Sequence, residues 1–63
     1  MRDLATWERV VQKHPTYPQG YYEAALHAAR LHDTEKANEY VKKALLLNSN
    51  YEPAKQLQNA LRN

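Results

Sequence analysis

Three histidines, His14, His27 and His32, are the side chains of this 63-residue chain best suited to chemistry. An imidazole changes charge near neutral pH and binds metals through either ring nitrogen. Two histidines on one helix converge on a metal when they stand four residues apart. His27 and His32 stand five apart, and His14 sits beside Pro15 at the end of a periodic segment. Surface or helix-end positions account for all three better than a metal or an acid–base pair does. Glu23 and His27 are spaced i, i+4, worth ~0.2–0.5 kcal/mol of helix support. Cysteine is absent, and no serine or threonine stands in the company a nucleophile needs. The single glycine, Gly20, is too few for a phosphate-cradling loop. The chain is therefore not expected to be an enzyme, and no metal or cofactor is expected.

The cations Lys36, Lys42, Lys43 and Lys55 could meet an anion, but Glu35, Glu39 and Glu52 lie among them. Interleaved signs read as a solvated face. The net charge is only +2, and a nucleic-acid binder of this size carries a denser basic stripe. A nucleic-acid-binding helical domain is thus a remote alternative, marked by steep salt dependence of binding. No apolar run approaches the ~18 residues of a membrane helix, so no membrane partner is expected. Met1-Arg2-Asp3-Leu4 lacks the apolar core of a signal peptide. With no cysteine, a reducing, cytoplasmic location is the expectation. A chain this short buries only ~60% of its unfolded surface, which leaves a stability on the order of a few kcal/mol.

Four periodic segments must position whatever site exists. From about Leu4 to Lys13, the residues Leu4, Trp7, Val10 and Val11 share one helix face. Asp3 is the expected N-cap, and Pro15 ends the segment. From about Tyr17 to Leu31, the stripe is Tyr21, Ala24, Ala25 and Ala28, small enough for another helix to come close. Thr16 is the expected cap, with Gln19 at capping-box spacing, and Pro18 falls in the first turn. From about Thr34 to Leu47, Ala37, Tyr40, Val41, Ala44 and Leu45 form the apolar face. The turn before that third segment is short, so the second and third helices must lie antiparallel. From about Tyr51 to Leu61, Ala54, Leu57 and Leu61 face inward, with Asn50 as the expected cap. On the polar side stand Lys55, Gln58, Asn59 and Arg62, as on a helix that closes a stack.

The chain also matches itself at an offset of thirty-four residues. Trp7 falls on Val41, Val10-Val11 on Ala44-Leu45, Thr16-Tyr17 on Asn50-Tyr51 and Gly20 on Ala54. Such a period signals a stacked array of helical hairpins. The stretch from Tyr21 to Leu47 resembles the tetratricopeptide repeat family. An aromatic (Tyr21) is followed by small residues (Ala24, Ala25, Ala28), the Asp33 turn, Glu35-Lys36-Ala37, and Lys43-Ala44-Leu45-Leu46-Leu47-Asn48. Pro15 stands where the family often ends a repeat. Ala24, Val41 and Ser49 depart from the common leucine, aromatic and proline. His32 replaces the inter-helix glycine and is expected in a left-handed conformation.

The resemblance implies an all-α fold of four helices in a right-handed stack of antiparallel hairpins, one domain over 1–63. Residues 1–15 would be the second helix of a partial repeat, 16–49 a full repeat and 50–63 a capping helix. It also implies a protein- or peptide-binding scaffold whose groove is lined by Gln19, Tyr22, Leu26, Ala29, Arg30 and Gln56. The branch that clamps a terminal carboxylate uses lysine and asparagine where Tyr22 and Leu26 stand, which speaks against it here. Trp7 is by spacing a core residue. In the family, however, Trp7 and Val10 would pack on a helix preceding this chain, leaving Leu4, Trp7 and Val10 as an apolar strip. That strip either folds back on the second helix, belongs under an upstream repeat, or is covered by a second copy. The two-fold homodimer is preferred among these.

Overall fold

The computed structural model describes residues 3–62. Met1, Arg2 and Asn63, the ends of the expected 1–63 domain, lie outside the described residues. The fold is all-α. Four helices follow one another: α1 (Leu4–Lys13), α2 (Pro18–Arg30), α3 (Thr34–Leu47) and α4 (Glu52–Arg62). None is long and apolar enough to cross a membrane.

Each helix end has a local cause. At α1, the Asp3 carboxylate accepts from the Thr6 amide at 3.0 Å and from its hydroxyl at 3.1 Å, which satisfies one of the free amides of the first turn. Thr16, expected to cap α2, lies one residue too early. Pro18 is the first residue of the helix and holds its predecessor extended. Tyr17 therefore becomes the N-cap, with φ −102° and ψ 98°, and its side chain makes no hydrogen bond to a first-turn amide. Asn50 is likewise displaced as the cap of α4. The Tyr51 carbonyl accepts from Ala54 and Lys55, so Tyr51 holds the cap position before Glu52.

The α2–α3 turn spans the three residues between Arg30 and Thr34. His32 has φ 63°, the left-handed conformation expected of it. Its amide donates to Ala29 at 3.0 Å and the next amide, Asp33, donates to Ala28 at 2.9 Å. This pair of bonds is the Schellman closure of a helix. Asp33 then opens α3, its carboxylate accepting from the Lys36 amide at 3.2 Å. One residue thus ends one helix and starts the next.

The internal repeat is written into the backbone. His14 donates to Val10 and Asn48 donates to Ala44; Tyr17 donates to His14 and Tyr51 to Asn48; Gly20 donates to Tyr17 and Ala54 to Tyr51. Each second bond is the first displaced by thirty-four residues. The α1–α2 and α3–α4 junctions are thus the same hydrogen-bonded corner made twice. The residue at the inside of the corner is Gly20 in one copy and Ala54 in the other, and both are buried. A methyl group on Gly20 would stand 3.1 Å from Val11 Cγ1 and 3.2 Å from Tyr17 Cδ2, so the first corner is too tight for alanine as it stands.

α2 is the central helix and touches all three others, while α3 also touches α4. Tyr21, near the start of α2, meets Tyr40 at the middle of α3, ring centroids 6.2 Å apart, and Lys43 of the second half of α3 lies over the Tyr21 ring, Nζ 5.8 Å from the centroid. With the end of α2 joined to the start of α3 by a short turn, the two helices are antiparallel. The expected stripe of Tyr21, Ala24, Ala25 and Ala28 is buried, as are Ala37, Val41 and Ala44 opposite it. Short side chains let helix axes approach toward the ~8 Å end of the usual range. At α4, Ala54 is buried, but Leu57 and Leu61 are only half-buried. On its polar side Asn59 and Arg62 are exposed and Lys55 and Gln58 half-buried.

Candidate functional site

The residues expected to line a groove sit mainly on α2, which positions them by the 3.6-residue turn. Tyr22 follows the buried Tyr21 and so emerges beside the core, half-buried. Its ring meets Tyr51 edge-on, centroids 5.8 Å apart and planes at 85°, an arrangement worth ~0.5–1.5 kcal/mol beyond area burial. Tyr51 immediately precedes α4, so this pair sets the starts of α2 and α4 side by side. Burial pushes the Tyr51 hydroxyl above its ordinary pKa, and Tyr22, Glu23 and Tyr17 push the same way. Tyr17 donates from its hydroxyl to Gln19 Oε1 at 2.9 Å, which ties exposed Gln19 to this tyrosine cluster. Further along α2, Leu26 and Ala29 are half-buried and Arg30 is exposed. Gln56 is exposed on α4. Aromatic side chains thus gather near the start of α2, and the exposed Arg30 cation stands at its end.

No protein-family model, curated protein or solved structure matches the chain.

The strip of Leu4, Trp7 and Val10 is not an open apolar surface. Trp7 is only 8% exposed in the single chain, and Leu4 and Val10 are half-buried. Among the alternatives for Trp7, the structure places it inside the molecule. The histidines are dispersed: His14 is the C-cap of α1, His32 is the left-handed residue of the turn, and His27 lies within α2. Among the described residues, no three His, Asp or Glu side chains gather where they could hold a metal ion.

Two features escape the sequence pattern. The first joins α1 to α3. Glu8 Oε2 accepts from the Tyr40 hydroxyl at 2.5 Å and from Lys36 Nζ at 3.3 Å. The Tyr40 hydrogen bond is the main cause that holds the Glu8 carboxyl below its usual range, with Lys36 helping and burial opposing. Burial, then the bond to Glu8, pushes the Tyr40 phenol well above its ordinary value. Glu8 and Tyr40 are thirty-two residues apart, so no local rule pairs them.

The second is Leu46, which is 85% exposed, with Leu47 beside it. Leu45, Leu46 and Leu47 are consecutive, and a helix can turn only part of such a run inward. The self-match carries a usable signal: Leu46 and Leu47 fall on Gln12 and Lys13, both exposed and polar.

Proposed function

We propose that the chain is a protein-interaction module of the tetratricopeptide kind, a right-handed stack of antiparallel hairpins that binds a peptide along α2. The observation that carries this is the pair of hydrogen-bonded corners thirty-four residues apart, the spacing of that repeat class. A fold built from one repeated corner presents equivalent helices side by side, and α2 with α4 forms such a pair through Tyr22 and Tyr51. Their shared face offers the requirements of peptide binding: aromatic and apolar area at Tyr22, Leu26 and Ala29, with Gln19, Gln56 and Arg30 to orient a backbone or an acidic group. Binding, rather than catalysis, is the work this surface suits.

The test is selection of peptides from a displayed random library on the immobilised chain, followed by amide-shift mapping of the enriched sequence. Shifts should centre on Tyr22, Leu26 and Arg30. Arg30→Ala, at an exposed position, should weaken binding by ~1–2 kcal/mol and leave thermal melting unchanged. Failure to enrich any peptide, or a footprint that spares α2, would overturn the proposal.

A further inference from the structure

The thirty-four-residue offset relates two clefts as well as two corners. One cleft is walled by Glu8, Val11 and Gln12 of α1. The other is walled by Lys42, Leu45 and Leu46 of α3, with Gln58 of α4. Glu8, Val11 and Gln12 displaced by thirty-four residues are Lys42, Leu45 and Leu46. The first cleft is walled on its far side by α3 of the same chain. Tyr40 and Lys43 of α3 complete its wall, and Glu8 is bonded by Tyr40 and Lys36. Over the second cleft, no described helix plays the part that α3 plays over the first.

The two clefts differ in chemistry that the fold does not require. The same backbone position carries Gln12 in one copy and Leu46 in the other, so folding alone does not call for leucine there. Where Glu8 offers a carboxylate to α3, Lys42 offers an ammonium, and it has no ion-pair partner among the described residues. The α2 residues Tyr21 and Ala28, buried on the side of α3, have Lys55 and Arg62 as their counterparts in α4. Among the described residues, Lys55 pairs with Glu52 alone, at 3.7 Å, with both side chains substantially exposed. A helix seated as α3 is would meet an outstanding leucine flanked by three cations.

We propose that this α3–α4 seat takes an acidic amphipathic helix of a partner protein. Its carboxylates lie on Lys42, Lys55 and Arg62, and an apolar side chain packs against Leu46. Apolar anchors supply affinity in helix-in-groove recognition, and the cations select for an acidic partner and quicken its approach.

The probe is a synthetic helical peptide with leucines at i, i+3, i+4 and i+7 and glutamates between them. Its twin carries lysine in place of every glutamate. The glutamate peptide should shift the amides of α3 and α4 around Lys42, Leu46 and Arg62, and bind more weakly as salt is raised. Leu46→Gln, which installs the residue of the first cleft, should weaken binding about tenfold with unchanged melting, and Lys42→Glu should do likewise. Equal binding of the lysine twin, indifference to Leu46→Gln, or no binding at all would overturn the proposal. So would concentration-dependent shifts at these amides without peptide, which would assign the seat to a second copy of the chain. A footprint on Tyr22 and Leu26 would instead place the peptide on the α2 face, so the two surfaces are tested separately.

Discussion

Val41→Ala tests which way α3 faces. Among the described residues, Val41 is the one fully buried side chain larger than alanine, at 0% exposure. The substitution removes two methylene equivalents, worth ~0.8 kcal/mol each, or about 1.6 kcal/mol. A cavity contribution adds to this, because alanines have no rotamers with which to fill a void, and closing it requires whole helices to shift. A total loss of about 2–3 kcal/mol follows. At ~0.05–0.15 kcal/mol per residue, a chain of 63 residues has roughly 3–9 kcal/mol to lose. The variant should therefore fold, with a melting temperature lower by roughly 10–20 °C at 4–8 °C per kcal/mol. Urea denaturation followed by far-ultraviolet circular dichroism reads the difference directly. Leu46→Ala, five residues along the same helix and 85% exposed, is the internal control and should stay within about 0.5 kcal/mol of the parent. A small loss at Val41 together with a large one at Leu46 would mean that α3 is rotated about its axis and that the buried face is misassigned.

Gly20→Ala should destabilise by about 1 kcal/mol in the same assay. The helix-propensity gain of up to ~1 kcal/mol is outweighed by overpacking against Val11, which is buried and stiff at χ1; a more stable variant would show that α1 slides to make room. Glu8 has its folded pKa lowered below an unfolded value near ~4.3, so its contribution is fully present above that value and disappears as pH falls through the folded one. Glu8→Gln should cost about 1 kcal/mol at neutral pH and flatten the acid limb, leaving the part that Asp3, also lowered by its bonds to Thr6, contributes; an unchanged limb would refute the pairing. Tyr40 and Tyr51 have their folded pKa values raised, so stability should fall as pH rises past ~10, and Tyr40→Phe should remove the last phenolate step of the ultraviolet titration. His32→Gly should stabilise by roughly 0.5 kcal/mol, since relief of the left-handed conformation exceeds the glycine's added chain entropy; a loss would mean that the imidazole holds the turn.

Much of this architecture is legible in the residue order. Helical periodicity places α1 to α4 within about a residue of their observed bounds, because the apolar spacing and the prolines act locally. Thr16 offers a capping side chain, but Pro18 holds its predecessor extended and the backbone puts the cap at Tyr17; in the matching corner Tyr51 again takes the position, through its carbonyl, in place of Asn50. Trp7 by periodicity is a core residue, and it is buried. Glu8 with Tyr40 could not be read at all, since the pair spans three helices. Leu46 was hidden by its neighbours: in a run of three leucines, composition does not say which one turns outward. Tyr22 against Tyr51 is a contact that no spacing rule supplies, because it joins residues of two separate segments.

The two matching corners have a consequence for how long such a molecule can be. The backbone leaves α1 after Lys13 and α3 after Leu47 through the same hydrogen bonds, so the two seams are interchangeable joints. A duplicate of residues 14–47 spliced in after Leu47 would arrive at a joint that already accepts its first residue and would hand on to Asn48 at another. Chain length is then a matter of copy number, with no new turn to invent. A gene carrying this segment could grow or shrink by whole units while each intermediate kept its corners intact.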